Sequence, residues 1–293
     1  MLLKRIWTDA VARWLYGIAV GGGLALVLLE PQVPLPMAAW VTAWSAVVLA
    51  LGAWLSWRLP FEARWHEAQG DVAVDTANAA LIVGLVDPLL RALLPVAVVA
   101  LSGTGEASWP AAGWAWGGQV AVAVLWMEFA KYWSHRAHHE WAPLWRFHAW
   151  HHSSRRLYWL NNFRLHPVNH ALQLALSLGP LLWLGVPDTV LLGALALTQP
   201  VVVLQHLNLD VHHGLWSRLF STHELHRWHH STEPAEANAN YGSALVLWDQ
   251  VFGTYRRHPA GRGPVKVGLF EASRHRRGRS EGFGWPGCCG PVT

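Results

Sequence analysis

Tyr132-Trp133-Ser134-His135-Arg136-Ala137-His138-His139-Glu140-Trp141-Ala142-Pro143-Leu144-Trp145-Arg146-Phe147-His148-Ala149-Trp150-His151-His152 carries six histidines in two copies of one spacing, H-x-x-H-H. Residues three and four apart share a helix face, so each copy can aim several imidazoles at one point. A third copy, His226, His229 and His230, follows much later, and fifteen of the 18 histidines fall between His135 and His230. Neutral imidazole binds iron, zinc, copper or nickel. The cluster exceeds what one ion can use, since an octahedral shell takes about six ligands, so two metals are the economical reading. A soluble di-iron bundle would use glutamates with Glu-x-x-His pairs, and that pattern is missing. His66, His258 and His275 lie outside the repeats and read as ordinary hydrogen-bonded side chains.

The composition places this histidine text in a membrane. Of 293 residues 53% are hydrophobic and 14% charged, against roughly 25% charged in a soluble domain. Mean hydropathy is +0.20. Tryptophan occurs 21 times, and its ring favours the membrane–water interface. The net charge of +4 suits anionic lipid headgroups better than nucleic acid, which is not expected as a partner. The only cysteines, Cys288 and Cys289, are adjacent; they cannot staple a fold, and no C-x-x-C exists. The basic residues ahead of the first apolar run lack a small-residue cleavage site downstream, so an uncleaved anchor is expected.

Taken in order, apolar runs at Trp14 to Leu29 (beginning upstream, near Ile6), Ala38 to Trp57, Asn78 to Leu101 and Trp114 to Tyr132 give four expected crossings. Glu30 to Pro36 carries three prolines and breaks the first pair into a hairpin. The third run is interrupted by Asp87-Pro88 and Arg91, which predicts a kink or an interfacial first part. Phe61 to Asp75 reads as a polar surface connection, and Ser102 to Gly113 as an external loop. Ala171 to Leu184 and Val190 to Leu204 are too short for comfortable crossings and predict a membrane hairpin that returns the chain to the same side. Lys4, Arg5, Arg13, Arg58 and Arg64 flank the first pair of runs, so the positive-inside rule puts the histidine stretch on the cytoplasmic face. The expected fold is an all-α integral membrane protein with four transmembrane helices, a short membrane hairpin and a cytoplasmic, helical, histidine-rich di-metal domain. Residues 1–113 form the N-terminal membrane helices, 114–255 the catalytic region, and 256–293 a weakly ordered Arg-, Gly- and Pro-rich tail.

Five further pieces of text complete the pattern: Arg164-Leu165-His166-Pro167, Gln205-His206-Leu207-Asn208, Leu225-His226-Arg227-Trp228-His229-His230-Ser231, Asn240-Tyr241-Gly242, and Trp248-Asp249 to Phe252-Gly253-Thr254. With the two boxes quoted above, the chain from about Glu128 to Tyr255 resembles the fatty acid hydroxylase / sterol desaturase superfamily of membrane-bound, histidine-rich di-iron oxygenases. The resemblance implies metal ligation by His135 and His139, by His148, His151 and His152, and by His226, His229 and His230. His206 fits a further ligand position, and His166 stands either as a ligand or beside one. His138, His212, His213 and His223 are additions to the pattern.

Two iron ions, as the resemblance implies, would bring four positive charges that imidazole does not cancel. Carboxylates are therefore expected to accept from the far ring N–H groups. Glu128 and Glu140, which flank the first box, lead the candidates, followed by Asp210, Glu224 and Asp249. The resemblance further implies O2-dependent hydroxylation or desaturation of a fatty acyl, alkyl-lipid or sterol substrate in the bilayer, in a bacterial inner membrane. No cytochrome b5 or flavin motif is present, so a separate electron-donor protein is expected, ferredoxin or cytochrome b5-like with its reductase. Arg136, Arg146, Arg155, Arg156 and Arg227 could form its docking surface. A metal transporter or metal-storage protein would instead need polar residues along its membrane segments; Asp87 and Arg91 are nearly the only charges there.

Overall fold

The computed structural model describes residues 2–29, 36–102, 108–259 and 261–269. The expected Pro-rich turn at Glu30 to Pro36 and the centre of the loop at Ser102 to Gly113 thus fall almost wholly outside the described residues, as do Cys288, Cys289 and most of the tail. Among the described residues the chain is helical, with two isolated β-bridges, Phe220–Leu245 and Ser231–Val267.

Helix α1 spans Leu2–Leu29 and α2 Met37–Arg58. Helix α3 (Val72–Leu81) runs through a π-turn at Ile82–Val86 into α4 (Asp87–Ser102). The stretches Ile6–Leu29, Met37–Arg58 and Val72–Leu101 are long and apolar enough to cross a membrane. The interruption read from Asp87-Pro88 is the π-turn. Pro88 has no N–H, and its ring crowds the carbonyl four residues back; a wider turn, closed by Asp87 N–H donating to Ile82 O, relieves both faults without ending the helix. The two charges pair within it: Arg91 Nε donates to Asp87 Oδ2 at 2.7 Å, and His170 Nε2 lies 3.0 Å from Asp87 Oδ1.

The expected fourth crossing forms a helix, α5, but it begins at Trp116 and continues to Glu140. It is not among the helices apolar enough to span, because Gln119, Glu128, Lys131 and Arg136 interrupt its apolar text before the first histidine box ends. The hairpin is α7 (Pro167–Trp183) and α8 (Asp188–Val202), 17 and 15 residues long. At about 1.5 Å per residue both fall short of the ~30 Å hydrocarbon core. Helix α8 is instead an interior post, packed on α1, α2 and α5. A glycine admits it: a Cβ on Gly23 of α1 would lie 2.4 Å from Ala196 O.

Two apolar cores result. Val11, Leu15, Val48, Leu55, Val201 and Leu204 join α1, α2 and α8, while Val120, Met127, Leu174, Leu178 and Val190 join α5, α7 and α8. The outward faces stay apolar, as at Leu93, Val96 and Val99 of α4, which is the surface a helix shows to lipid rather than to water. The remaining helices are α6 (Ala142–His152), α9 (His223–His229), α10 (Pro234–Ala237) and α11 (Leu247–Val251). Together with the ends of α5 and α7 they form a cap at one end of the bundle.

Candidate metal centre

Three elements deliver the repeated boxes. Each H-x-x-H-H repeat places its first and last histidine about 40° apart around the helix, while the middle one is about 100° from the last. On α6 the pair His148 and His152 faces one way and His151 another. On α9 the pair His226 and His230 faces one way and His229 another. The outcome is two groups whose ligand nitrogens lie within 4.8 Å of one another: His135, His139, His148, His152 and His229, and His151, His206, His226 and His230. The α6 pair joins the five-membered group and the α9 pair the four-membered one, with the middle histidines crossing over. His206, in the turn after α8, completes the second group. The groups adjoin through the stacked rings of His152 and His230, 4.3 Å apart.

Nine of the ten histidines proposed as ligands are thereby brought together. His166 is not in either group. Its Nδ1 accepts from Val168 N at 3.2 Å, capping α7, and its ring lies 4.9 Å from Phe147. The four additions also stay out. His138 Nδ1 bonds its own helix at Ser134 O, 2.7 Å; His223 Nε2 bonds Leu209 O, His213 Nδ1 bonds Ala12 O, and His212 Nδ1 bonds Glu224.

Six of the nine far nitrogens are held by oxygen. His135 Nδ1 lies 2.8 Å from Tyr241 O, His151 Nδ1 3.2 Å from Arg164 O, and His229 Nδ1 2.9 Å from Ala239 O. A backbone carbonyl only accepts, so each Nδ1 carries the proton and each Nε2 lone pair points inward. Carboxamides serve three more: Asn238 Oδ1 for His139 (3.3 Å), Asn169 Oδ1 for His148 (3.1 Å) and Asn161 Oδ1 for His206 (2.8 Å). These carbonyl and amide oxygens stand where carboxylates are expected from the sequence.

Glu128, fully buried, receives the backbone N–H groups of Ala244 and Leu245 at 2.6 and 2.8 Å and pairs with Lys131. Glu140 is exposed and bonded by Arg136 Nε at 2.8 Å. Asp249 acts one layer further back, receiving Tyr241 N–H and Gly242 N–H at 2.7 Å each and so holding the Tyr241 carbonyl against His135. Burial pushes its carboxyl up to about 6. Two of the arginines proposed for docking are interior: Arg156 is bonded by Asp71, and Arg227 lies over the Phe61 ring with Nη2 donating to Leu209 O. Asp71 and Asp75, read from the sequence as part of a surface connection, bind buried arginines instead.

The donor set fits a metal. Burial, reinforced by neighbouring imidazoles, holds His148, His152, His206, His226 and His230 well below their ordinary pKa, and burial takes His151 and His229 down to about 3. All are neutral at physiological pH, the form that ligates. Nε2 of His135 and of His229 is buried without a hydrogen-bond partner. In the four-membered group the Nε2 atoms of His206 and His226, of His226 and His230, and of His230 and His151 stand 3.1, 3.1 and 3.2 Å apart. Adjacent nitrogens around an octahedral ion with bonds of about 2.1 Å would be about 3.0 Å apart. Inward lone pairs at that spacing repel one another unless a cation lies among them.

A helical, membrane-embedded protein with two adjoining, buried, all-imidazole clusters is the class that fold and site define. Residues 120–254 match the fatty acid hydroxylase family. Ornithine lipid hydroxylase OlsE of Rhizobium tropici is 38% identical over 207 residues, covering 69% of this chain and 62% of that protein. Alkylglycerol monooxygenases of Danio rerio and Homo sapiens are 30% and 29% identical, with 32% and 31% of their lengths covered. Residues 120–254 therefore form a region of the fatty acid hydroxylase superfamily, the part of the chain that carries both histidine groups. It spans less than two thirds of the length of these relatives. No solved structure matches it.

The supporting residues carried little signal of their own. Asn169 follows the Arg-x-His-Pro motif by two residues, and Asn238 and Ala239 precede Asn240-Tyr241-Gly242. That last triplet marks a special backbone, with Asn240 at φ 55°, and it is the feature that could have pointed to a site-supporting turn.

Proposed function

We propose that this protein is a membrane-bound di-iron oxygenase that hydroxylates a C–H bond of a lipid, using O2 and electrons from a separate protein. The observation that carries the reading is the gathering of nine buried, neutral histidines into two adjoining groups inside the region that matches the hydroxylase family. His135, His139, His148, His152 and His229 would hold one iron and His151, His206, His226 and His230 the other; His166, a helix cap, would hold neither. Two irons in such a setting supply the activation of O2 and the removal of hydrogen from an unactivated C–H bond.

The protein's own residues orient and enclose. Carbonyl and amide oxygens fix the tautomer and direction of six of the nine rings. Trp145, 5.1 Å from His139 and 5.5 Å from His152, and Tyr241, 5.3 Å from His139, wall the five-histidine group with aromatic rings. Such a wall keeps bulk water from the reacting position. Glu128 and Asp249 position backbone behind the site rather than touching substrate.

A cytoplasmic placement of the site is supported by charge. The segment carrying His206 to Trp216 packs on the basic ends of the first two helices: Trp216 Nε1 donates to Arg13 O, and Asp210 N–H donates to Leu59 O beside Arg58. Basic residues mark the cytoplasmic side of short-looped membrane proteins, here a bacterial inner membrane. Hydroxylation is favoured over desaturation because the named relatives are a hydroxylase and monooxygenases.

The test pairs iron quantification of the purified protein with lipid mass spectrometry of cells that express it or lack it. A product heavier by one oxygen is expected, about 16 Da, and is abolished by His148→Ala or His229→Ala. Iron-free active protein, or full activity in both variants, refutes the proposal. A product lighter by two hydrogens would identify a desaturase.

A further inference from the structure

Resting on the two-iron reading, we propose that Asp75, on the helix that opens the third apolar span, is a positioning residue for the four-histidine group alone. Its carboxylate is fully buried and uses both oxygens. Tyr158 Oη donates to Oδ2 at 2.7 Å, and the Arg164 guanidinium pairs with Oδ1 through Nε. Arg164 Nη1 also reaches Ser153 Oγ at 3.1 Å. The consequence lies on the other side of Arg164, whose backbone carbonyl accepts the Nδ1 proton of His151 at 3.2 Å.

One turn earlier, at the N-cap of the same helix, Asp71 secures the segment's other end. Arg156 gives it Nε and Nη2 at 2.7 and 2.9 Å and donates Nη1 to Trp65 O at 2.7 Å. Arg156 O in turn receives Asn161 Nδ2 at 2.6 Å, and Asn161 Oδ1 faces His206 Nδ1 at 2.8 Å. Two carboxylates, one on α3 and one at its N-cap, therefore clamp residues 153–164, and that segment supplies the acceptors for both His151 and His206. The acceptors recorded for the five-histidine group lie elsewhere, on Asn169, Asn238, Ala239 and Tyr241. The clamp is thus wired to one metal position and not to the other.

Buried ion pairs return little net stability, because desolvation consumes most of the attraction, but they fix geometry. Arg164 is held to a single direction, and its carbonyl with it. Removing an outer partner of a metal-ligating histidine typically weakens metal binding about 10- to 100-fold.

The experiment uses the full chain in detergent or nanodiscs, loaded with Fe(II) and challenged with graded chelator. Wild type should retain two iron equivalents per chain. Asp75→Asn should lose one of them at about 10- to 100-fold lower chelator while keeping the other, and the retained iron shows that the fold survives. Tyr158→Phe, which leaves the ion pair intact, should weaken the same position by a smaller factor. Asn169→Ala should spare it and weaken the other. Loading with Co(II) distinguishes the positions by their absorption bands, so that Asp75→Asn and Asn169→Ala deplete different bands. Wild-type retention of both irons in Asp75→Asn and Tyr158→Phe overturns the proposal, as does parallel loss of both irons in the two variants. A wild-type protein that binds no iron overturns the metal reading beneath it.

Discussion

His151 and His152 are neighbours in sequence, yet they point into different groups, and replacing each by alanine should damage different metal positions. The magnitude follows from the ligand sets. Four-ligand structural metal sites bind with about 10–16 kcal/mol, or about 2.5–4 kcal/mol per ligand, which is roughly 100- to 1,000-fold in affinity. His151→Ala cuts the four-histidine group to three ligands and also strips the Arg164 carbonyl of its donor, a further cost of about 1–3 kcal/mol. His152→Ala leaves the five-histidine group with four imidazoles, enough for a complete tetrahedral shell. The loss there should sit at or below the lower end of that range. Iron content measured against a chelator series, with Co(II) absorption to identify the depleted position, reads both effects. The partition is refuted if the two variants deplete the same absorption band, or if His152→Ala proves the more damaging to metal retention.

Acidification should destabilise the metal-free protein. His151 and His229 titrate near 3 in the folded chain against about 6.5 unfolded. The unfolded state therefore binds more protons below that point, and the stability these rings contribute is complete above about pH 6.5 and drains as pH falls toward 3. By pH 5 the loss is about 2 kcal/mol for each ring; denaturant midpoints of metal-stripped protein at pH 7 and pH 5 check it, and an unchanged or higher midpoint at pH 5 contradicts it. Gly242→Ala should cost at least ~2 kcal/mol, because its Cβ would fall 2.2 Å from Leu245 O and 2.7 Å from Asp249 Oδ2. Gly113→Ala, which meets nothing within 4 Å, is the matched control in thermal melts. The oxygen-bearing lipid product should disappear in His148→Ala and His229→Ala, as read by mass spectrometry.

How much of this was written in the sequence depends on whether a property is local. The helical boxes, the apolar spans at Ile6–Leu29, Met37–Arg58 and Val72–Leu101, and eight of the nine gathered histidines were legible because spacing and hydropathy act within one helix; His206, outside any box, is reached through the family resemblance alone. The weaker fourth crossing was not separable from α5 by pattern, since apolar text and histidine box are one continuous helix, Trp116–Glu140. The interior places of Arg156, Arg227 and Asp75 are not legible in the sequence, because a charge is buried only where a distant partner arrives. Asp75 and Arg164 meet across 89 positions, and no local pattern announces that meeting.

The sequence determined by itself that each H-x-x-H-H box offers a pair of imidazoles on one face and a single imidazole on another. It could not say where those faces would look. Tertiary structure turns the α6 pair toward the five-histidine group and the α9 pair toward the four-histidine group, so that each single crosses to the other group. On α5 the single, His138, faces neither and bonds Ser134 O instead. The reason is geometric: helical periodicity sets angles within an element, while the packing of α5, α6 and α9 around the end of the bundle sets the angles between them.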